Sequence, residues 1–173
     1  FMVMSGMPLP LAVMITIPEP WAQNATMSQK IKDFYQYYAT MMEPWDGPAS
    51  ILFSDGDILG AVLDRNGLRP SRYYITDDDT LDIPPEKIVV KERIHPGKML
   101  LVDTVQGRVI DDQELKEEYA ARQPYGEWLN SQLVNLSDLK IPNQKVPQYS
   151  REECQRLQKA FGYSYEEVKT SIL

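Results

Sequence analysis

An α+β fold, with antiparallel sheet and helices packed on it, is predicted by three features of this 173-residue chain. Short apolar runs are joined by turn dipeptides, Asp55-Gly56 and Gln106-Gly107, at hairpin spacing. Ile31, Phe34, Tyr35, Tyr38, Met41 and Met42 recur at the spacing of one helix face. After Ile110 the strand signals give way to capped helical segments. With 43% hydrophobic residues the chain can bury one sizeable core, and its length suits one domain plus an appendage.

Taken in order, residues 11–17 read as a buried strand. The stretch from Met2 to Ile17 carries no charge. It has no basic leader, Gly6, Pro8 and Pro10 interrupt it, and its continuous apolar part is about half of the roughly 20 residues a spanning helix needs. Neither a signal peptide nor a membrane span is expected. The chain opens at Phe1 inside this run, which reads as the middle of something longer. Pro18-Glu19-Pro20-Trp21 ends the strand, and Thr26 with Gln29 forms a capping-box pattern for a helix stopped by Pro44. Residues 49–54 and 58–63 are expected strands around a type I′ turn at Asp55-Gly56. Residues 72–76 make a third strand, closed by Asp77-Asp78-Asp79. Further strands fall at 88–91, 99–103 and 108–110, punctuated by His95-Pro96-Gly97 and Gln106-Gly107.

Asp111 with Glu114 caps a helix to about Arg122, and a second helix covers 125–133. Residues 141–148 read as a polar, proline-bearing linker. Two capping boxes, Ser150 with Glu153 and Ser164 with Glu167, start short helices with apolar sides at Cys154, Leu157 and Phe161, then Val168 and Ile172. Such helices cannot bury these sides alone, so they are expected to pack on the sheet domain or on chain past Leu173. The implied division is 1–122 for the sheet domain and 123–173 for a helical linker.

Charge and cysteine usage exclude several function classes. A net charge of −7 and a pI near 4.8 argue against nucleic acid, whose phosphates need clustered Lys and Arg, and against anionic membranes. A single cysteine, Cys154, allows no internal disulfide and suits a reducing cytoplasm.

The most informative stretch is Asp64-Arg65-Asn66-Gly67-Leu68-Arg69-Pro70-Ser71-Arg72-Tyr73, preceded by Glu43-Pro44-Trp45-Asp46-Gly47-Pro48. Asn66-Gly67 suits a tight turn, and Pro70 holds Arg69 extended. Charges beside a sheet core are costly unless they pair or meet a ligand. The segment is therefore either a corner pinned by Arg65, Arg69 and Arg72 against Asp46 and Asp64, or the edge of a ligand site. Trp21 and Trp45 are expected to lie as lids on the core.

No catalytic constellation emerges from the remaining residues. Cys154 sits on an apolar helix stripe with no histidine near it in sequence. His95, in a turn, reads as a surface imidazole. One His and one Cys make a zinc site improbable, and Asp77 to Asp79 lack the spacing of a calcium loop. Gly56, Gly60 and Gly67 precede no helix start, so no phosphate-cradling loop is expected.

Several motifs in series resemble a known family. Leu11 to Trp21, the Glu43 to Ala49 motif, Leu63-Asp64-Arg65-Asn66-Gly67-Leu68-Arg69-Pro70-Ser71-Arg72-Tyr73-Tyr74, Asp82-Ile83-Pro84-Pro85 and Pro96-Gly97-Lys98-Met99-Leu100-Leu101-Val102-Asp103 are similar, in order, to the later part of the glutaminase domain of bacterial, NADPH-type glutamate synthase large subunits. That domain is a type 2 glutamine amidotransferase. The resemblance covers roughly residues 1–122, with a tail like the family's passage toward a central domain.

It implies an N-terminal-nucleophile hydrolase-like αββα sandwich, incomplete in this chain, with a helical C-terminal extension. In the family an N-terminal cysteine attacks the glutamine side-chain amide with its own α-amino group as base, and an upstream Asn-Gly pair stabilises the oxyanion. The ammonia released meets 2-oxoglutarate in a flavin domain to give glutamate. The implied cofactors are FMN and an iron-sulfur cluster in the parent chain, with FAD and NADPH on a small partner subunit. The implied partners are the rest of the parent chain, that small subunit and glutamine.

This sequence departs from the family in two places. It begins at Phe1, without the nucleophilic cysteine or the upstream oxyanion segment, so it is expected to be inactive alone, with no catalytic, cofactor or metal residues of its own. Between Thr80 and Leu81 about ten residues are expected to be missing, judged by ordinary strand lengths. Trp45, Asp46, Gly47, Asp64, Arg65, Asn66, Gly67, Arg69, Pro70 and Arg72 are then a structural motif. The alternative is a non-catalytic binding or assembly module derived from the same fold.

Overall fold

A helix, α1 over Leu9–Thr16, occupies the place of the strand expected at 11–17. Continuous apolar runs carry no period that separates a buried strand from a buried helix. Two prolines fit the helix start: Pro8 stands at the N-cap and Pro10 in the first turn, where the missing N–H has no helical partner to lose. Leu11, Ala12, Met14, Ile15 and Thr16 are all buried, and the Thr16 hydroxyl donates to the Ala12 carbonyl at 2.6 Å.

These features come from a computed structural model that describes residues 5–77, 84–140 and 147–172. The chain divides into two compact units, Phe1–Leu133 and Val134–Leu173.

In the first unit α2 spans Gln29–Ala39 and buries Ile31, Phe34 and Tyr35. Its cap is Ser28, whose hydroxyl accepts from the Ile31 N–H, and not Thr26, whose hydroxyl donates to Asn24 Oδ1 at 2.8 Å. Gln29 bonds forward to Asp33 at 2.7 Å, so no box closes. The helix ends at Ala39, ahead of Pro44, so Met41 and Met42 of the expected stripe lie beyond it, and Met41 is exposed.

Strands β1 (Ser50–Ser54), β2 (Ile58–Leu63), β5 (Met99–Asp103) and β6 (Arg108–Ile110) form an antiparallel sheet in the order β1-β2-β5-β6. A two-stranded antiparallel sheet joins β3 (Arg72–Thr76) to β4 (Ile88–Arg93), which follows a 3-10 turn at Pro85–Lys87. The β1–β2 turn is not type I′, which needs positive φ at two successive residues. Only Gly56 has it, at +107°, and the Asp55 carboxylate instead takes the N–H groups of Asp57 and Ile58 at 3.1 and 3.0 Å. Asp77 donates its N–H to the Lys87 carbonyl, while Asp78, Asp79 and the expected gap between Thr80 and Leu81 lie outside the described residues.

Strand alternation sends Val62, Met99, Leu101 and Ile110 into one core with α1 and α2. Ala61 and Leu63 of β2 pack on the other face with Ile94, Tyr73 and Leu100, where the β3–β4 pair covers part of the large sheet. Helix α3 (Asp112–Ala121) is capped by the Asp111 carboxylate, and α4 (Tyr125–Gln132) follows. The rings of Phe34, Tyr38 and Tyr125 meet edge-on or tilted at 5.1 to 5.7 Å, joining α2 to α4.

The second unit holds a 3-10 turn at Leu136–Asp138, helix α5 (Arg151–Ala160) and a short helix α6 (Tyr165–Glu167) that runs into a π-helical turn, Val168–Ile172. Both capping boxes are formed, Ser150 with Glu153 and Ser164 with Glu167. No residue of α5 is buried: Cys154 and Leu157 are half-buried, and Phe161 just after it is exposed.

Candidate functional site

Asp64 organises the corner that follows β2. It is 4% exposed, and its carboxylate accepts the N–H groups of Ala49 at 3.1 Å and Asn66 at 2.8 Å. Its own carbonyl accepts from Gly67 and Gly97, both at 3.1 Å. Burial works against the charge, yet the bound N–H groups of Ala49 and Asn66, with the Gly67 N–H nearby, outweigh it and hold this carboxyl below its ordinary pKa. Gly67 sits at φ +60°, and a Cβ there would lie 2.4 Å from Pro96 Cγ. The corner therefore needs both left-handed backbone and a missing side chain.

The expected ring of ion pairs is only partly present. Arg65 bonds Asp46 at 2.8 Å. Asp64 is occupied by backbone and takes no arginine; Arg69 Nε points to the Pro48 carbonyl at 3.4 Å, and Arg72 stands on β3 opposite Arg93. A buried carboxylate at a turn is satisfied more cheaply by fixed N–H groups than by desolvated guanidinium. Trp21 is half-buried against the core, whereas Trp45 is 64% exposed and is no lid. His95 is exposed, 3.8 Å from Glu92.

An open cleft of about 900 Å³ lies beside the corner, walled by Glu19, Trp21, Glu43, Trp45, Asp46 and Arg65 among others. It brings together the Ile17 to Trp21, Glu43 to Pro48 and Asp64 to Pro70 motifs. Among the described residues its wall carries no thiol, hydroxyl or imidazole. Asp46 is taken by Arg65 and Glu19 by two lysines, while Glu43, the third carboxylate of the wall, has no ion-pair partner among the described residues; the cleft can hold a ligand or a chain.

Behind the cleft is a charge quartet that sequence reading missed, with Glu19, Asp112 and Lys116 largely buried and Lys98 partly exposed. Glu19 meets Lys116 at 2.5 Å and Lys98 at 3.1 Å, and Asp112 meets the same lysines at 2.7 and 3.0 Å. Lys116 also donates to the Gly97 carbonyl, and Asp112 accepts the Met99 N–H at 2.9 Å. Burial opposes the charge on Lys98, but Asp112 and Glu19 raise its pKa above the usual value. The Tyr35 phenol is driven well up by burial, with Glu19 and Asp112 adding to it. The only local signal was the i,i+4 spacing of Asp112 and Lys116 beside the buried positions Leu115 and Tyr119. Glu19 and Lys98 arrive from far along the chain.

The model of the class-II glutamine amidotransferases matches residues 1–128. The chain belongs to that family. Among relatives of this class-II amidotransferase chain, the NADPH glutamate synthase large chain of Bacillus subtilis is 43% identical over all of it. The NADH glutamate synthase of Schizosaccharomyces pombe is 47% identical over 76% of it, and ferredoxin-dependent glutamate synthase 1 of Arabidopsis thaliana 40% identical over 99%. The chain spans only 12%, 7% and 11% of the lengths of these relatives. The Bacillus alignment runs over 187 positions against 173 residues here, so that relative carries residues this amidotransferase segment lacks. The antiparallel sheets and packed helices agree with the α+β class expected of the family.

Proposed function

We propose that this chain is the later part of the glutaminase domain of a glutamate synthase, leading over residues 123–173 toward a central domain. The parent protein releases ammonia from glutamine and transfers it reductively to 2-oxoglutarate, giving glutamate. The observation that carries this reading is the extent of the similarity. The general amidotransferase model stops at residue 128, while likeness to the Bacillus glutamate synthase covers the whole chain, tail included.

Within that parent the segment is scaffold. Its one cysteine is Cys154 on α5, beyond the family match, so the attacking thiol comes from other residues of the parent. The Asp64 corner and the quartet hold three loops in fixed relation around the cleft. Trp45, Asp46, Gly47, Asn66, Arg69 and Pro70 serve the same framework. An iron-sulfur cluster takes three or four cysteine thiolates, so the cluster and FMN belong to the parent outside these residues, with FAD and NADPH on the small subunit.

The test is glutamate formation from glutamine and 2-oxoglutarate by the full-length protein, with NADPH, NADH and reduced ferredoxin compared as donors. Glutamine-dependent synthesis with NADPH supports the reading. A full-length protein that neither hydrolyses glutamine nor makes glutamate would replace it with the non-catalytic assembly module.

A further inference from the structure

The outward face of the β3–β4 pair is basic on an otherwise acidic chain. Arg72 stands directly opposite Arg93, and Tyr74 opposite Lys91. Tyr73 and Ile94 point the other way, into the cluster with Ala61 and Leu63, so alternation places Arg72, Arg93, Tyr74 and Lys91 together on the open face. The Ile94 N–H donates to the Ser71 carbonyl at 3.0 Å, which makes Ser71 and Ile94 the hydrogen-bonded pair. Arg72 and Arg93 are then the neighbouring non-bonded pair, in which side chains come closest.

Like charges in that position oppose strand pairing, yet all three cations are exposed and none has a carboxylate partner among the described residues. Lys91 is 5.7 Å from the Tyr74 ring centroid, so one cation already leans on an aromatic face. Two arginines held side by side by backbone register form a fork for carboxylates. They also border, with Arg69, a recess of about 240 Å³ walled by Leu63 and Ile94. That is below the size usual for small-molecule sites and suits a side chain presented by a polypeptide.

We propose that this face docks a carboxylate-bearing segment of the same parent polypeptide, lying outside these 173 residues; this rests on the glutamate synthase reading. Two arguments favour a tethered segment over a free partner. Exposed ion pairs are individually weak, and tethering raises the effective concentration of the second group to about the millimolar range. A second copy is disfavoured because each carries a net charge of −7.

Carbodiimide coupling of the full-length protein, which joins Lys91 Nζ to a carboxylate in direct contact and loses the activated oxygen as a urea, tests this. Peptide mass analysis is expected to find Lys91 joined to an Asp or Glu outside these residues. Arg72→Gln with Arg93→Gln is expected to cut that product at least tenfold, with coupling of Lys98 to Glu19 or Asp112 unchanged. Three results overturn the proposal: no coupling of Lys91, coupling only within these residues or to an isotope-labelled second copy, or a yield indifferent to the arginines. Glutamate formation by the unmodified protein is scored separately, so an active enzyme without the Lys91 product sinks the docking proposal alone, and an inactive one sinks the parent reading.

Discussion

Lys116 and Glu19 meet at 2.5 Å where both side chains are almost fully buried, at 3% and 6% exposure; they stand 97 positions apart in sequence and meet because the fold returns α3 to the loop after α1. Asp112 and Lys98 complete the charge balance at two positive and two negative. Lys116→Met leaves two carboxylates facing one lysine. The expected cost is about 3–5 kcal/mol, read as a hundredfold or greater acceleration of amide exchange in α3. Glu19→Gln with Lys116→Met restores the balance and is expected to recover much of that loss. A single variant exchanging at the wild-type rate would show that the quartet contributes nothing.

Gly67→Ala combines a left-handed backbone with a clash against Pro96, whereas Gly107, at φ +64°, has nothing within 4 Å of its Cβ position. Backbone strain of about 1–2 kcal/mol applies to both, and crowding adds about 1–3 kcal/mol at Gly67 only. Thermal melting is expected to rank Gly67→Ala well below Gly107→Ala. Equal shifts would mean that Pro96 yields freely.

The Asp64 carboxyl has a lower pKa folded than unfolded. Its contribution is therefore complete above the unfolded value, about 3.9, and is lost as pH falls through the folded value. Asp64→Asn puts an amide NH2 against one of two backbone N–H groups, at a cost of about 1–3 kcal/mol at neutral pH. Denaturant titrations from pH 7 to pH 2 are expected to show a gap between wild type and variant that narrows below about pH 4. A gap constant with pH would argue against an ionised Asp64.

Arg65 and Asp46 form the one ion pair of the corner among the described residues, but their side chains are 52% and 64% exposed. Arg65→Ala is expected to change stability by less than about 1 kcal/mol, and less still at high salt. A loss several times larger would mean that the pair fixes the cleft wall.

Local chemistry was legible wherever the decisive partner lies within a few residues. The capping boxes at Ser150 and Ser164, the Asp111 cap, the α2 stripe from Ile31 to Tyr38 and the positions of the six strands among the described residues follow from short-range pattern. So does the Asp64 to Pro70 corner, because Gly67 and Pro70 restrict the backbone whatever surrounds them. Tertiary structure alone decided the rest. Leu9 to Thr16 is apolar throughout and carries no period, so packing on α2 and the sheet settles it as helix. Asp64 takes backbone N–H groups in place of arginines because the corner folds Ala49 and Asn66 onto it. The quartet joins positions 19, 98, 112 and 116, and such a meeting is written in no local spacing: direct contact around the buried Glu19 and Lys116 makes those four charges interdependent, and only the fold brings them together.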